Sequence, residues 1–325
     1  MQAFEFASPT SVKEALGLLG AQFSDAQLLA GGTDQISLLK ERLHHPKRVV
    51  SLRNVKELHG IKKTGGGIRI GAMATVDEVM ESSLVRAEYP SLVQAARGIA
   101  SPQIRNMGTM GGDLCQRTRC WYYRNHLGLL AMKDGKSLVA EGQNEYHAIF
   151  GNSGPAKFVS ASSFGPALVA LGATVTVVSP SGSRSMKVAD LFHTPKERGE
   201  RETVLKSNEI ITEILVPSAR GVKNATYEVR QKQALDWPLV AASVALTMKG
   251  NSVGSAMVVL GHVAPTPHMA SAAASMLSGK SITEDVAAQA GAAAAQGATP
   301  LSGNTYKVDL VKVAVKRALL AAVGA

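Results

Sequence analysis

Two short glycine motifs are the residues of this sequence best suited to chemistry. The first, Ala30-Gly31-Gly32-Thr33-Asp34, follows an apolar run and precedes a helix-like segment that begins at Gln35. The second, Thr109-Met110-Gly111-Gly112-Asp113, lies eighty residues further along. Glycine has no Cβ and reaches positive φ, so successive backbone N–H groups in such a turn can face an anion at close range. The pair predicts two loops that hold one diphosphate from opposite sides.

Neither motif matches a known nucleotide fingerprint. Both lack the spacing of G-x-G-x-x-G, and neither has the Gly-Lys-Ser/Thr of a P-loop. A doubly wound nucleotide-binding fold is therefore not indicated. Each motif alone also fits an ordinary loop, and the argument rests on the two together.

Composition limits the function classes. The 325 residues are 45% hydrophobic, which allows a sizeable core and two or three domains. The net charge is +10, but Lys and Arg are scattered and aromatic residues make up only 5%. Nucleic-acid binding, which needs a basic stripe or a stacking platform, is therefore not predicted. A basic surface for an anionic cofactor or an acidic partner subunit is favoured.

The sequence gives no sign of membrane insertion or export. No apolar run reaches the roughly 18–20 residues of a membrane span, and the first residues lack the pattern of a signal peptide. We therefore expect a cytoplasmic location, although export bound to a partner that carries a signal stays open. Two cysteines argue against a disulfide scaffold.

Hydrophobic periodicity predicts an α+β fold with a domain boundary near residue 222, giving domains 1–222 and 223–325. Helices are expected to start at the capping signals of Ser11 and Thr75 and at Pro90. Alternating runs after residue 226 predict an antiparallel meander, followed by three alanine-rich helices at about 268–278, 283–297 and 308–323. Further strands are expected at 27–30, 48–52, 68–71, 173–178 and 210–216.

The stretch 113–158 has little of this hydrophobic periodicity. It is rich in aromatic residues, including Trp121, Tyr122 and Tyr123, where the rest of the chain is poor in them. A loop of this length inside a compact domain is uncommon and is often functional. We expect an ordered insertion, packed over the cofactor or presented to a partner.

With these features placed, the sequence resembles the FAD-binding medium subunit of the molybdenum hydroxylases, the xanthine dehydrogenase and carbon monoxide dehydrogenase family. The similarity runs over essentially the whole chain. It is carried by the first glycine motif, by the run from Pro102 to Gly112, and by Asp236-Trp237-Pro238. The run from Cys115 to Arg124 is similar to the branch of bacterial aldehyde oxidoreductases. The resemblance implies a two-subdomain FAD-binding domain of the PCMH type, then an antiparallel C-terminal sheet with three helices.

The resemblance also implies which residues contact FAD. In the family both glycine motifs hold the diphosphate, and apolar side chains bracket the isoalloxazine. No residue is assigned a catalytic acid or base role, because the flavin carries the redox chemistry. Carried over by position, the contacts are Leu29, Ala30, Gly31, Gly32, Thr33, Asp34, Gln35, Ile99, Thr109, Gly111, Gly112, Asp113 and Leu205.

Three departures from the family pattern stand out. Ser163 replaces an aspartate of some members, and Glu228 stands where xanthine dehydrogenases carry a lysine near the flavin. A glutamate there would oppose negative charge on reduced flavin, which disfavours NAD as the acceptor. Relatives with a [4Fe-4S] cluster in the inserted stretch use four cysteines, whereas this chain has Cys115 and Cys120 alone. We therefore expect reduced thiols and no cluster.

The resemblance implies an electron-transfer subunit. It would pass electrons from [2Fe-2S] clusters of a small subunit through FAD to an external acceptor, while a molybdopterin-binding large subunit oxidises an aldehyde or N-heterocycle. The alternative is a stand-alone FAD oxidase of the vanillyl-alcohol-oxidase type. Such enzymes often carry a histidine for covalent flavin attachment in the first motif, where this chain has Thr33. A non-enzymatic basic binding module is disfavoured by the scattered charge.

Overall fold

The structure, a computed structural model, describes residues 1–99, 101–232 and 236–324. The chain forms three main sheets, each with helices against it, and a short hairpin. The strands are β1 Glu5–Ala7, β2 Ala26–Leu29, β3 Arg48–Ser51, β4 Ile61–Thr64, β5 Gly67–Gly71, β6 Met132–Lys133, β7 Lys136–Ser137, β8 Thr174–Ser179, β9 Gly182–Lys187, β10 Ile210–Pro217, β11 Val222–Val229, β12 Val240–Lys249, β13 Ser252–Gly261 and β14 His268–Met269. The helices are α1 Val12–Gly17, α2 Gln35–Lys40, α3 Val76–Glu81, α4 Ser83–Glu88, α5 Pro90–Gly98, α6 Pro102–Met107, α7 Met110–Cys115, α8 Trp121–Arg124, α9 Phe164–Ala170, α10 Val188–Leu191, α11 Ser271–Leu277, α12 Glu284–Ala294 and α13 Tyr306–Val323.

The first sheet is parallel, in the order β1-β3-β2. Parallel neighbours need a crossover connection, and α1 and α2 supply the two that this sheet requires. Strand β2 ends at Leu29 and α2 begins at Gln35, so the first glycine motif is the connection between them. The motif thus lies at the carboxyl end of a strand, where ligands commonly bind in such units.

The second sheet is antiparallel, in the order β4-β5-β10-β8-β9. Alternate residues of its strands, such as Ile68 and Ile70, or Val175 and Val177, are buried against α3, α5 and α9. This alternation is the period-two pattern of a sheet with one face in the core. The second glycine motif joins this unit, because its first residues bond to the segment after β5.

The third sheet is antiparallel, in the order β11-β12-β13-β14, and α11, α12 and α13 pack on it. The buried residues of α13 recur at helical spacing: Val311, Ala314, Val315, Ala318 and Leu319. Small alanines let the helices approach one another and the sheet closely. The predicted α+β fold, with an antiparallel C-terminal sheet and three helices, is confirmed.

The inserted stretch is ordered and contains the short helix α8 and the hairpin β6–β7. Buried asparagines fix it to the segment before α13. The Asn144 amide donates to Ser302 Oγ at 3.1 Å, and the Asn304 amide donates to the His147 carbonyl at 3.1 Å. Among the described residues, no helix is long and apolar enough to cross a membrane.

Candidate cofactor site

A cavity of about 230 Å³ lies between the two glycine motifs. Its wall combines the end of the first sheet, the second motif, the inserted stretch and the segment before β12. The predicted site residues in this wall are Ala30, Gly31, Gly32, Thr33, Asp34, Gln35, Ile99, Thr109, Gly111, Gly112 and Asp113. Leu29 and Leu205 are not part of the wall. Leu205 instead packs against the core of the second sheet.

The first motif presents unused backbone donors to this cavity. The N–H groups of Gly31, Gly32, Thr33 and Asp34 have no hydrogen-bond partner among the residues that the structure describes. Gly32 has φ +77°, a conformation that favours glycine. Consecutive donors around a residue of this kind form a concave site for an anion. The arrangement fits a phosphate group.

The second motif differs from the turn that its sequence predicts. It is the first turn of α7, with Thr109 as the N-cap. Its backbone donors from Met110 to Asp113 are used internally: Met110 N–H donates to Ala74 O at 2.9 Å, and Gly111 N–H donates to Ala72 O at 2.8 Å. Gly112 N–H donates to the Thr109 hydroxyl at 3.1 Å. The expectation of a second turn with free amide groups is wrong, because the helix and the neighbouring strand segment take up those groups.

Glycine is nonetheless required where the two parts of the site meet. A Cβ on Gly31 would lie 1.6 Å from the carbonyl oxygen of Met107, so the two backbones touch directly. A Cβ on Gly111 would lie 3.0 Å from that of Ala72. The glycines therefore bring the first motif, the end of α6 and α7 into one wall.

The Asp113 carboxylate is buried in the protein. It accepts hydrogen bonds from the Ser162 hydroxyl at 2.5 Å, the Gln116 amide at 3.0 Å, and the backbone N–H groups of Ser163 at 3.2 Å and Phe164 at 3.0 Å. Burial raises the pKa of Asp113 to about 6, and these donors oppose that rise. The carboxylate thus fixes the start of α9 to α7, and Ser163 takes part through its backbone.

Asp34 anchors the inserted stretch to the first motif. Its carboxylate accepts hydrogen bonds from Arg117 N–H at 3.0 Å, the Arg119 guanidinium at 3.2 Å and the Arg124 guanidinium at 2.8 Å. Its negative charge is therefore compensated before it can oppose a phosphate. The arginines of the insertion are oriented by the motif that they cover.

Arg201 is the cavity cation that sequence reasoning missed. Arg117 is paired with Glu202 at 2.9 Å, but Arg201 has no carboxylate partner among the described residues. Its guanidinium lies 3.7 Å from the centre of the Phe23 ring. Burial, and then Arg117, lowers the pKa of Arg201 to about 10, so it stays charged at neutral pH. Nothing in the irregular segment around it marks it in the sequence.

His44 also belongs to the cavity wall. Its Nε2 lies 3.1 Å from the Tyr123 hydroxyl, and its Nδ1 lies 3.3 Å from the Gln35 amide oxygen. Burial, and then the charge of Arg117, lowers the pKa of His44 to about 3. The ring is therefore neutral and links Gln35 to the insertion.

Comparison with known proteins shows the family of this chain. Residues 2–219 match the family described as FAD binding domain in molybdopterin dehydrogenase, and residues 225–322 match the CO dehydrogenase flavoprotein C-terminal domain. The chain is 32% identical to the carbon monoxide dehydrogenase medium chain of Hydrogenophaga pseudoflava, over 98% of this chain and 96% of the relative. This chain belongs to the FAD-binding subunits of the molybdenum hydroxylases. It is an oxidoreductase subunit, and its cofactor is FAD.

Other members of this family are similar over the same length. The chain is 31% identical to the aldehyde oxidoreductase FAD-binding subunit PaoB of Escherichia coli, over 96% of each chain. The structure of quinoline 2-oxidoreductase from Pseudomonas putida 86 aligns with a TM-score of 0.78 at 27% identity, covering 99% of this chain and 98% of that one. The agreement in length shows that both domains of the family are present here.

Glu228 differs in charge from the lysine of the family pattern, but its charge is compensated by a neighbouring residue. It is buried and forms an ion pair with Arg230, and burial raises its pKa. The pair lies against Gly98, where an added Cβ would be 2.2 Å from Glu228 Oε2. The negative charge is therefore balanced locally. The argument that this glutamate opposes charge on the flavin is weakened accordingly.

The two cysteines of this FAD subunit lie in different surroundings. Cys115 lines the cavity between the glycine motifs and is exposed. Cys120 Sγ lies 3.1 Å from His147 Nε2, and burial raises the pKa of this thiol. Within the described ranges, no group of three or more His, Cys, Asp or Glu residues is placed to hold a metal ion.

Proposed function

We propose that this chain is the electron-transfer subunit of a heteromeric molybdenum hydroxylase, with FAD held in the cavity between the glycine motifs. The observation that carries the proposal is the set of unused backbone donors at Gly31 to Asp34, facing the same cavity as the unpaired Arg201. Backbone N–H groups and a guanidinium are the donors that bind phosphates well. The family match supports the same cofactor.

The residues of this chain would bind and orient the cofactor. Gly31 to Asp34 and Arg201 would neutralise the diphosphate, while Ile99 and the neighbouring apolar wall would exclude water from the ring system. Ala30, Gln35, Thr109, Gly111, Gly112 and Asp113 would complete the wall. FAD itself, when bound, supplies the capacity to accept and release electrons.

The partners in this proposal are a [2Fe-2S] small subunit and a molybdopterin-binding large subunit. Similarity to medium chains and FAD-binding subunits of named dehydrogenases supports partners of this kind. Oxidation of an aldehyde or N-heterocycle would then take place on the large subunit, and an external acceptor would take electrons from FAD.

Co-expression with candidate partner chains tests the proposal. We expect one non-covalent FAD per chain, co-elution of three different chains on size exclusion, and almost no turnover by this chain alone. A single chain that oxidises an aldehyde unaided would contradict the subunit role and favour the stand-alone oxidase. A chain that purifies without FAD and cannot be loaded with it would contradict the cofactor site as well.

A further inference from the structure

A second cavity, of about 260 Å³, lies beside the cofactor cavity. Arg119, Asp236, Trp237 and Pro238 line both, so one thin wall separates them. The rest of the second cavity is built by the inserted stretch and the C-terminal domain. Its other lining residues are Cys120, Trp121, Tyr146, His147, Val159, Ala161, Gln231, Leu239, His262 and Lys307.

The walls of the second cavity are aromatic. The Trp121 ring lies 5.4 Å from that of Tyr146 and 5.8 Å from that of His147, both at steep angles. The Trp237 ring also lines this cavity, with the Arg119 guanidinium 5.2 Å from its centre. Rings arranged in this way offer faces and edges to a flat aromatic molecule.

Buried hydrogen-bond donors point to the polar part of the ligand. Lys307 is 1% exposed, and its ammonium donates to the backbone carbonyls of His262 at 2.9 Å and Tyr146 at 3.1 Å, which leaves its third N–H for another acceptor. His147 and His262 are each 3% exposed. One ring nitrogen of each, Nδ1 of His147 and Nε2 of His262, has no partner among the described residues.

The tautomer of His147 is coupled to its neighbour Cys120. Cys120 Sγ and His147 Nε2 lie 3.1 Å apart, and in the tautomer with its proton on Nδ1 the ring accepts from the thiol, which burial keeps protonated by raising its pKa. Burial also lowers the pKa of His147 to about 4, so the ring is neutral and, in this tautomer, Nδ1 carries its proton. An unpartnered buried N–H costs free energy unless a ligand accepts from it.

The charged groups of the second cavity favour a ligand with carbonyl oxygens over a ligand with a carboxylate. Burial lowers the pKa of Lys307 to about 7, so the ammonium, which alone has a third N–H, and the neutral amine are both populated at neutral pH. The Asp236 carboxylate lines the same cavity and would repel a second carboxylate. Neutral carbonyl oxygens accept from lysine and imidazole donors without this repulsion.

We infer that the second cavity binds a flat aromatic molecule that carries carbonyl oxygens, of the quinone class. The ring system would lie between Trp121, Tyr146 and Trp237, and its oxygens would accept hydrogen bonds from Lys307 and His147. This binding site is separate from the proposed FAD site, and either one can be tested without the other.

The test uses the full FAD-loaded chain and 2-methyl-1,4-naphthoquinone as the probe. The chain has two tryptophans. Trp121 lines the second cavity alone and Trp237 lines both cavities, so in a chain whose first cavity holds FAD the quenching of their fluorescence reports binding in the second. We expect saturable quenching with one quinone per chain, confirmed by calorimetry. Lys307→Met should weaken binding by about tenfold or more, because a buried donor is lost.

A matched control is Lys312→Met, which removes an exposed lysine on the same helix. It should bind the quinone as the unchanged chain does. Tyr146→Ala alters the wall without removing the buried lysine, and it should also weaken quinone binding. If Lys307→Met fails to fold, Tyr146→Ala is the variant that tests the inference. Flavin absorbance, recorded for every variant, shows whether the FAD site is intact.

Absence of quinone binding to a chain that holds FAD would overturn the inference and leave the FAD proposal untouched. Binding that is unchanged in both Lys307→Met and Tyr146→Ala would overturn it too. Saturable binding of naphthalene-1-carboxylate without binding of the quinone would show that the cavity takes a carboxylate, against the inference. Quinone binding lost in both variants, with flavin absorbance retained, supports it.

Discussion

The two glycine motifs have similar sequences but differ in the hydrogen bonding of their backbone N–H groups. In the first, the N–H groups of Gly31 to Asp34 have no partner in the described part of the chain, and Gly32 has φ +77°. In the second, the N–H groups of Met110 to Asp113 are all bonded inside the protein. The first motif is thus shaped for a ligand, and the second uses glycine to let α7 pack closely. Similar residues can therefore leave backbone donors available in one place and use them for packing in another.

The largest effect should come from a change of Asp113, whose buried carboxylate accepts four hydrogen bonds. Asp113→Asn replaces an acceptor of four hydrogen bonds by a group that also donates, so buried donors lose their partner. We expect a loss of about 3 kcal/mol in the free energy of unfolding, measured by urea denaturation. Asp190→Asn, on the short helix α10, is the control. Unchanged stability in Asp113→Asn would show that the second motif is not structural.

The difference between the two motifs shows which parts of the structure can be predicted from the sequence. Periodicity and capping signals depend on neighbours in the chain, and the Thr75 cap, with its reciprocal bond to Glu78, forms as expected. The bonds that occupy Gly111 and Met110 come from Ala72 and Ala74, which lie far away in the sequence. Arg201 and His44 reach the cavity through tertiary packing alone. Local pattern therefore predicted many of the helices and strands, but not the partners that tertiary contacts supply.

Gly32→Val tests the ligand role of the first motif. Valine is strained at φ +77°, and its Cβ would lie 2.9 Å from Ile36 Cδ1. The displaced backbone should weaken FAD binding by about 100-fold, measured by flavin fluorescence titration. Gly65→Ala is a suitable control, since an added Cβ there meets nothing within 4 Å. Full FAD occupancy in Gly32→Val would mean that the first motif is not the phosphate site.

Arg201→Gln tests the same phosphate site by removing a positive charge, whereas Gly32→Val changes the backbone. Removing the cation that lacks a carboxylate partner should weaken FAD binding by about tenfold, with a smaller salt dependence. Arg198→Gln, an exposed neighbour in the same segment, should leave the affinity unchanged. Equal affinities of Arg201→Gln and the unchanged chain would remove Arg201 from the site.

Thr109→Ala should have the smallest effect. The Thr109 hydroxyl caps α7 by accepting from Gly112 N–H at 3.1 Å, so its loss should cost about 1 kcal/mol of stability. Thermal unfolding measures this, with Thr305→Ala as the control because Thr305 precedes α13 without a side-chain capping bond. A large loss of FAD affinity with no loss of stability would instead make Thr109 a direct ligand.

Backbone amide chemical shifts on cofactor binding test the central claim most directly. FAD is titrated into the isotopically labelled apo chain, and the amide resonances of residues 31–34 and 110–113 are followed by transverse-relaxation-optimised NMR. We predict large changes in amide proton shift at 31–34, where donors gain a phosphate acceptor, and smaller changes at 110–113, where existing bonds persist. Large changes at 110–113 with none at 31–34 would contradict the assignment of the phosphate site to the first motif.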